Sequence, residues 1–224
     1  MKKILAICLM MVIVLSMSVM NVFAAPGAFL NSPSGNPAPT VVEFDPKDDE
    51  CTAELIITPY GDKKTLPAEL KALIEKAYNA IANTDDLTTF NADLKALAAS
   101  KKIPGDKLAV SDLFDIHVTG CDYHEGHVDF DIILAADTLN RFVGLLHMNK
   151  NGEWELVSNA KVTNNGEHLE FSMDEFSPFA IVIDTSKGAP QTGDDSMIYL
   201  YAVIMAISAL GIIVIAVKSK KRKA

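Results

Sequence analysis

Glutamine occurs once in the 224 residues, as Gln191, and that scarcity excludes an internal Cys–Gln thioester. Cysteine occurs three times, at Cys8, Cys51 and Cys121, too few for a disulfide scaffold. There is no Gly-x-Ser-x-Gly turn for a serine nucleophile, and no glycine-rich loop ahead of a helix pattern for phosphate. Lysine and asparagine are both plentiful, so a Lys–Asn isopeptide cross-link stays open. There is no internal repeat. Positive charge is scarce between the two ends of the chain. Between Pro26 and Thr192 there are 13 Lys+Arg against 27 Asp+Glu, a net of −14, whereas the whole chain carries −9 because basic residues gather at its ends. That balance argues against nucleic acid and against anionic lipid as partners.

Both ends are apolar. Met1-Lys2-Lys3 is a short positive region, residues 4–19 are a mainly apolar stretch, and Val22-Phe23-Ala24 puts small residues at the −3 and −1 positions. This is a signal-peptide pattern over residues 1–24, cut after Ala24 because a cut after Ala25 would place Pro26 at +1. The alternative is an uncleaved first membrane helix; either way residues 25–196 face the exterior. At the other end, residues 197–217 form an apolar run long enough to cross about 30 Å of hydrocarbon. The Lys- and Arg-rich tail, 218–224, stays inside by the positive-inside rule.

Just before that span stand Ala189, Pro190, Gln191, Thr192 and Gly193, then Asp194 and Asp195. Pentapeptide, span and basic tail in this order resemble the cell-wall sorting signal of Gram-positive surface proteins. The family's usual motif is Leu-Pro-x-Thr-Gly, with Ala189 here in place of Leu. The resemblance implies that a sortase-type transpeptidase cuts between Thr192 and Gly193 and joins Thr192 to peptidoglycan. The membrane is then a partner through residues 197–217, and the chain sits on the outer face of a Gram-positive cell. The alternative anchoring is an uncleaved single-pass membrane protein. The resemblance covers the last 36 residues and supplies an address, not an activity. The segment Glu175-Phe-Ser-Pro-Phe-Ala-Ile-Val-Ile183 resembles the closing strand ahead of such signals in many Firmicutes surface proteins.

Residues 25–44 hold Pro26, Pro33, Pro37 and Pro39 without a period of 2 or 3.6, and read as a flexible linker. The domain follows at 45–185, and residues 186–196 form a second linker that carries the motif. Within the domain, 51–58 is a strand candidate closed by a Pro-Tyr-Gly-Asp turn. Thr65 is a candidate N-cap, and Leu70, Leu73, Ile74, Ala77 and Ile81 lie on one face of a helix over about 66–82. Leu87, Phe90, Leu94, Leu97 and Ala98 make the face of a second helix, ended by Ile103-Pro-Gly105. The period then changes to 2. Strands are predicted around 114–119, 128–134, 141–148, 153–157, 168–173 and 179–183, with Asn151-Gly152 and Asn165-Gly166 as hairpin turns. The fold class expected is α+β: a mainly antiparallel domain with a helical hairpin inserted after the first strand.

Once Cys8 leaves with the signal peptide, Cys51 and Cys121 are candidates for one disulfide, the alternative being two buried thiols. His124 and His127, with Asp122 or Cys121, have metal-ligating side chains. Their order is His-Glu-Gly-His rather than the His-Glu-x-x-His that shares a helix face, and the favoured reading is a solvated turn. Asp129 and Asp131 share a strand face as a glycosidase pair would, but alternation with Val128, Phe130 and Ile132 explains them as a wet face. The acidic run 45–50 is a loose Ca²⁺ candidate without EF-hand order. Trp154, Phe142, Phe176 and Phe179 read as core rather than a sugar platform. The expectation is a surface-displayed binding or structural protein, not an enzyme, with no cofactor. The alternative is a small metal protein or enzyme centred on residues 121–131.

Overall fold

The computed structural model describes residues 27–47, 53–120 and 130–187. All but Lys187 belong to one unit, Met1–Ser186. The described residues form nine strands: β1 (Thr40–Asp45), β2 (Glu54–Pro59), β3 (Leu108–Thr119), β4 (Phe130–Ala135), β5 (Phe142–Met148), β6 (Trp154–Leu156), β7 (Lys161–Thr163), β8 (His168–Met173) and β9 (Pro178–Asp184). Two α-helices, α1 (Ala68–Ala82) and α2 (Ala92–Ser100), lie between β2 and β3. The class is α+β and every strand pairing is antiparallel.

The strands form two sheets, ordered β2-β3-β9-β5-β6 and β1-β4-β8-β7. Two apolar clusters show how they stack. Ile74, Ala77, Ile81 and Leu94 of the helices pack with Val110, Leu113, Leu146 and Val182 on one face of the five-stranded sheet. Phe114, Leu145, Phe179 and Ile181 on its other face pack with Phe130, Ile132, Leu134, Leu169 and Phe171 of the four-stranded sheet. The five-stranded sheet is thus the middle of three layers. Strand β9, central and covered on both faces, is buried along its whole length and reads as an apolar run. Strand β4, covered on one face, alternates buried Phe130, Ile132 and Leu134 with half-exposed residues.

The helices follow local chemistry. Pro67 is the N-cap of α1, Glu69 sits in its first turn, and the amide of Asn83 bonds the Asn79 carbonyl at its end. Asn91 caps α2: its side-chain oxygen accepts from the backbone N–H groups of Asp93 at 2.8 Å and Leu94 at 3.1 Å. The Asn91 side-chain NH₂ donates to the Trp154 carbonyl at 3.1 Å and so holds α2 against β6. Trp154 and Phe179 are buried and Phe142 and Phe176 pack on the core, as expected.

The segment expected as a linker is different. Ala28 and Phe29 are buried, and Ala28 and Leu30 bridge Val110 through N–H···O bonds of 2.8 and 2.9 Å. They cover the edge of β3 that β2 leaves bare beyond Phe114. Gly27, at φ +53°, passes so close to α1 that a Cβ there would lie 2.5 Å from two of its carbonyl oxygens. Farther on, β1 pairs with β4, and Phe44 stacks on Phe130 at 5.4 Å. Proline suppresses any period without preventing edge pairing, and a register shift between Val41 and Glu43 leaves Val41 and Val42 both exposed, which erases alternation. Thr65 also differs from expectation: its hydroxyl bonds the Asp62 carbonyl and caps no helix.

Residues 1–24, the motif 189–193, the span 197–217 and the tail 218–224 lie outside the described residues. Among the described residues no helix is long and apolar enough to cross a membrane.

Candidate functional site

Of the residues singled out in the sequence, Cys51, Cys121, Asp122, His124, His127, Asp129 and Ala189–Gly193 by number (189–193) fall outside the described residues. Asp131 is described. Its carboxylate accepts from the Ser172 hydroxyl and pairs with the Lys47 ammonium at 2.9 Å. The Ser172 bond and then Lys47 hold its pKa below the usual carboxylate range. A carboxylate so committed is a poor general acid. Among the described residues no three metal-ligating side chains converge. Their lysines are exposed or half-exposed, so they assemble no buried Lys–Asn pair for an isopeptide bond.

The polar set that most resembles catalytic machinery was not predicted. Ser177, just before β9, lies 2.7 Å through Oγ from His147 Nε2 on β5. His147 Nδ1 lies 3.9 Å from Glu155 Oε2 on β6, which puts serine, histidine and carboxylate in sequence. The hydrogen bonds decide its role. Ser177 Oγ also meets the Met148 carbonyl, which accepts only, so the one hydroxyl proton goes there. His147 must then donate from Nε2 to Oγ, and an imidazole carrying a proton at Nε2 is not a base toward that serine. Both side chains are buried, and burial pushes the His147 pKa down. Glu155 is meanwhile held through Oε1 by the Asn149 side-chain NH₂ at 2.6 Å. The set is a latch between the end of β5 and the entry to β9.

A second pair lies on β3. Asp115 is fully buried, and its Oδ2 lies 3.0 Å from Nδ1 of half-exposed His117, two residues along on the same face. Asp115 Oδ1 is buried without a hydrogen-bond partner. Burial raises the Asp115 pKa to about 6, against the lowering effect of His117. Nearer the start of β3, Asp112 accepts from the hydroxyls of Ser111 at 2.6 Å and Thr138 at 3.3 Å, and burial raises its pKa despite both bonds. Asp112 ties Ser111 and Thr138 together at the bulge between Val110 and Asp112, and Asp115 holds His117 within the same strand.

An open concavity lies elsewhere. Strand β6 pairs with β5 only from Leu146 to Met148, and after Val157 donates to the Leu145 carbonyl the chain crosses to the other sheet as β7. A groove of ≈ 480 Å³ is left beside the first half of β5. Leu97, Phe142, Val143 and Leu156 supply apolar walls, and Lys101 and Lys161 stand among its lining residues. Gly144 lets the walls close: a Cβ there would lie 2.9 Å from Leu156 Cδ1 and 3.5 Å from Leu97 Cδ2. The volume falls in the range of ligand pockets. Sequence reading missed this groove because its residues come from α2, β5 and the 156–162 crossover, and each looks like ordinary core or surface in isolation. No family model matches the chain, and no curated protein matches it.

Proposed function

We propose that the chain is an exported binding or structural protein displayed on the outer face of a Gram-positive cell and held there by a sortase-type signal at residues 189–193. The ectodomain offers a folded unit rather than a reaction centre. The observation that carries this reading is the disposition of its reactive side chains. Ser177 and His147 join the entry of β9 to β5, and Asp131 joins β4 to Lys47 and to Ser172 of β8. Asp112 is held by Ser111 and Thr138, and Asp115 pairs with His117 of its own strand. The open groove beside β5 is walled largely by apolar side chains, which suits binding. The export pattern, the pentapeptide and the basic tail support the address. The few residues between the motif and the apolar run that starts at 197 support access, since they keep Thr192 near the outer membrane surface, where a membrane-bound transpeptidase works.

In this reading a sortase thiolate attacks the Thr192 carbonyl, Gly193 leaves as the new amine, and a wall amine then takes Thr192 from the acyl-enzyme. Pro190 fixes a bend in the substrate backbone. Ala189 offers less apolar contact than leucine, so an enzyme with a matched pocket is expected to process it fastest. Thr192→Ala tests the anchor. Wild-type chain is expected in wall fragments released by muramidase and the variant in the membrane fraction. Equal amounts of both in the wall, or neither there, would defeat the sortase mechanism and leave the single-pass membrane protein.

A further inference from the structure

The two edges of the five-stranded sheet are treated differently. Beside β3, where β2 ends at Pro59, the chain supplies an extended piece of its own: Ala28–Leu30 bonds Val110 on both sides. Beside β5 the same kind of gap opens at Phe142–Gly144, where β6 has departed, and among the described residues no strand fills it. The Val143 carbonyl accepts instead from the Lys101 ammonium at 3.4 Å. Lys101 pairs with no carboxylate among the described residues, while Lys161, also in the lining, is bridged to Glu170 at 2.8 Å. An open strand edge, an apolar floor and an ammonium resting on a backbone carbonyl thus occupy one groove. Its cations stand on a region that is otherwise strongly acidic.

We propose that this groove accepts a short extended peptide that alternates apolar and acidic residues and adds as a strand to the Phe142–Gly144 edge of β5. In the bound state a peptide N–H donates to the Val143 carbonyl in place of Lys101. The released ammonium turns to a peptide carboxylate, so a neutral contact is exchanged for a charge-assisted one. The peptide's apolar side chains face Phe142 and Val162, on the side of the sheet away from the helices, and its acidic ones face the helix side, where Lys101 stands. Main-chain bonds supply affinity, and the floor and Lys101 supply selectivity, as in other strand-addition sites. About 480 Å³ accommodates three or four residues, matching the length of the bare edge. This deepens the reading of the chain as a surface binding protein and is independent of the anchor, which wall fractionation reads separately.

The test uses the full chain in detergent and a labelled N-acetyl-Glu-Val-Glu-Val-Glu amide, followed by fluorescence anisotropy and by amide exchange of the 142–146 segment. Saturable binding is expected, with slowed exchange at Val143–Leu145. Lys101→Ala should weaken it by about tenfold, the loss of one charge-assisted contact, and Lys102→Ala, one residue along and outside the groove lining, should not. A peptide with Gln for Glu should weaken in parallel. A peptide N-methylated at alternate residues keeps its side chains but not its donors, and should lose binding altogether. Equal binding of the N-methylated peptide would overturn strand addition and mark a merely apolar groove. The absence of saturable binding would overturn the proposal, as would self-association of the Lys101→Ala chain without peptide binding by the wild type, since Lys101 would then serve only to block the edge.

Discussion

Asp115 and His147 are both enclosed by the fold, and acid acts on them with opposite signs. The folded-state pKa of Asp115 is raised to about 6 from 3.8, so the folded protein holds this proton more tightly than the unfolded chain. Its contribution is most favourable in acid and is lost as pH rises from about 4 to about 6, a change of about 3 kcal/mol for a shift of this size. Asp112, also raised, acts in the same direction. His147 is lowered, so the unfolded chain takes up the proton first, and stability is lost as pH falls below the ordinary histidine value. The two effects offset one another in mildly acidic solution. Asp115→Asn is therefore expected to be more stable than wild type at pH 8 by about 1–2 kcal/mol, after loss of the His117 contact, and to show no gain at pH 4. Urea unfolding midpoints at the two pH values check this; an identical difference at both would show that ionisation of Asp115 is not the cause. Ser177→Ala leaves His147 Nε2–H and the Met148 carbonyl buried without their partner and should cost about 1–3 kcal/mol by the same measurement. A loss near zero would mean that the latch contributes nothing.

Among the elements, those with a clean period were legible in advance. Helix α1 declared itself through Leu70, Ile74, Ala77 and Ile81, β8 through Leu169 and Phe171 set between polar residues, and β9 through an apolar run. Strands β1 and β7 did not. The first follows four prolines and carries a bulge, and the second has only three residues, none of them buried. Without them the second sheet was invisible, because its edges are what distinguish two stacked sheets from one. The candidate sites were legible to a lesser degree. Ser177, His147 and Glu155 lie far apart in sequence, and nothing local marks them as neighbours. The corrected start of the domain has a consequence. A fragment of residues 45–185 lacks Phe29, nearly all of β1 and the Phe44–Phe130 stack, so it should unfold at a lower urea concentration than a fragment of residues 26–186, or without a cooperative transition. Matching midpoints would show that the N-terminal segment is dispensable. The β2–β3 ladder bears on the cysteines. Its last described pair is Glu54↔Thr119, and the chain reaches Cys51 three residues beyond one strand and Cys121 two beyond the other, from the same end of the ladder. The exported protein is expected to be two hydrogens lighter in non-reducing mass spectrometry, with the loop of about 70 residues contributing on the order of 4 kcal/mol. Two free thiols would sink that expectation.

At the scale of the whole molecule, the compact unit ends at Ser186. The closure there is local: Asp184 Oδ1 accepts from the Ser186 N–H at 2.9 Å and from its hydroxyl at 2.6 Å, and the Thr185 hydroxyl donates to the Lys107 carbonyl at 3.0 Å. Strand β9, the central strand of its sheet, is therefore finished before the motif begins, and no core side chain is contributed by residues beyond it among those described. Fold and anchor should then separate cleanly. A chain stopped after Ser186, with its export signal intact, is expected to appear wholly in the medium. Its unfolding midpoint should equal that of the ectodomain shaved by protease from intact cells after wall removal. The net charge of −14 between Pro26 and Thr192 favours release, since an acidic domain has little affinity for the anionic membrane surface it leaves. Retention of the shortened chain on the cell would point to a second attachment at the N-terminus, as an uncleaved first helix would give. A lowered midpoint would mean that residues after Ser186 stabilise β9, and full protection of the ectodomain from added protease would overturn the outward topology itself.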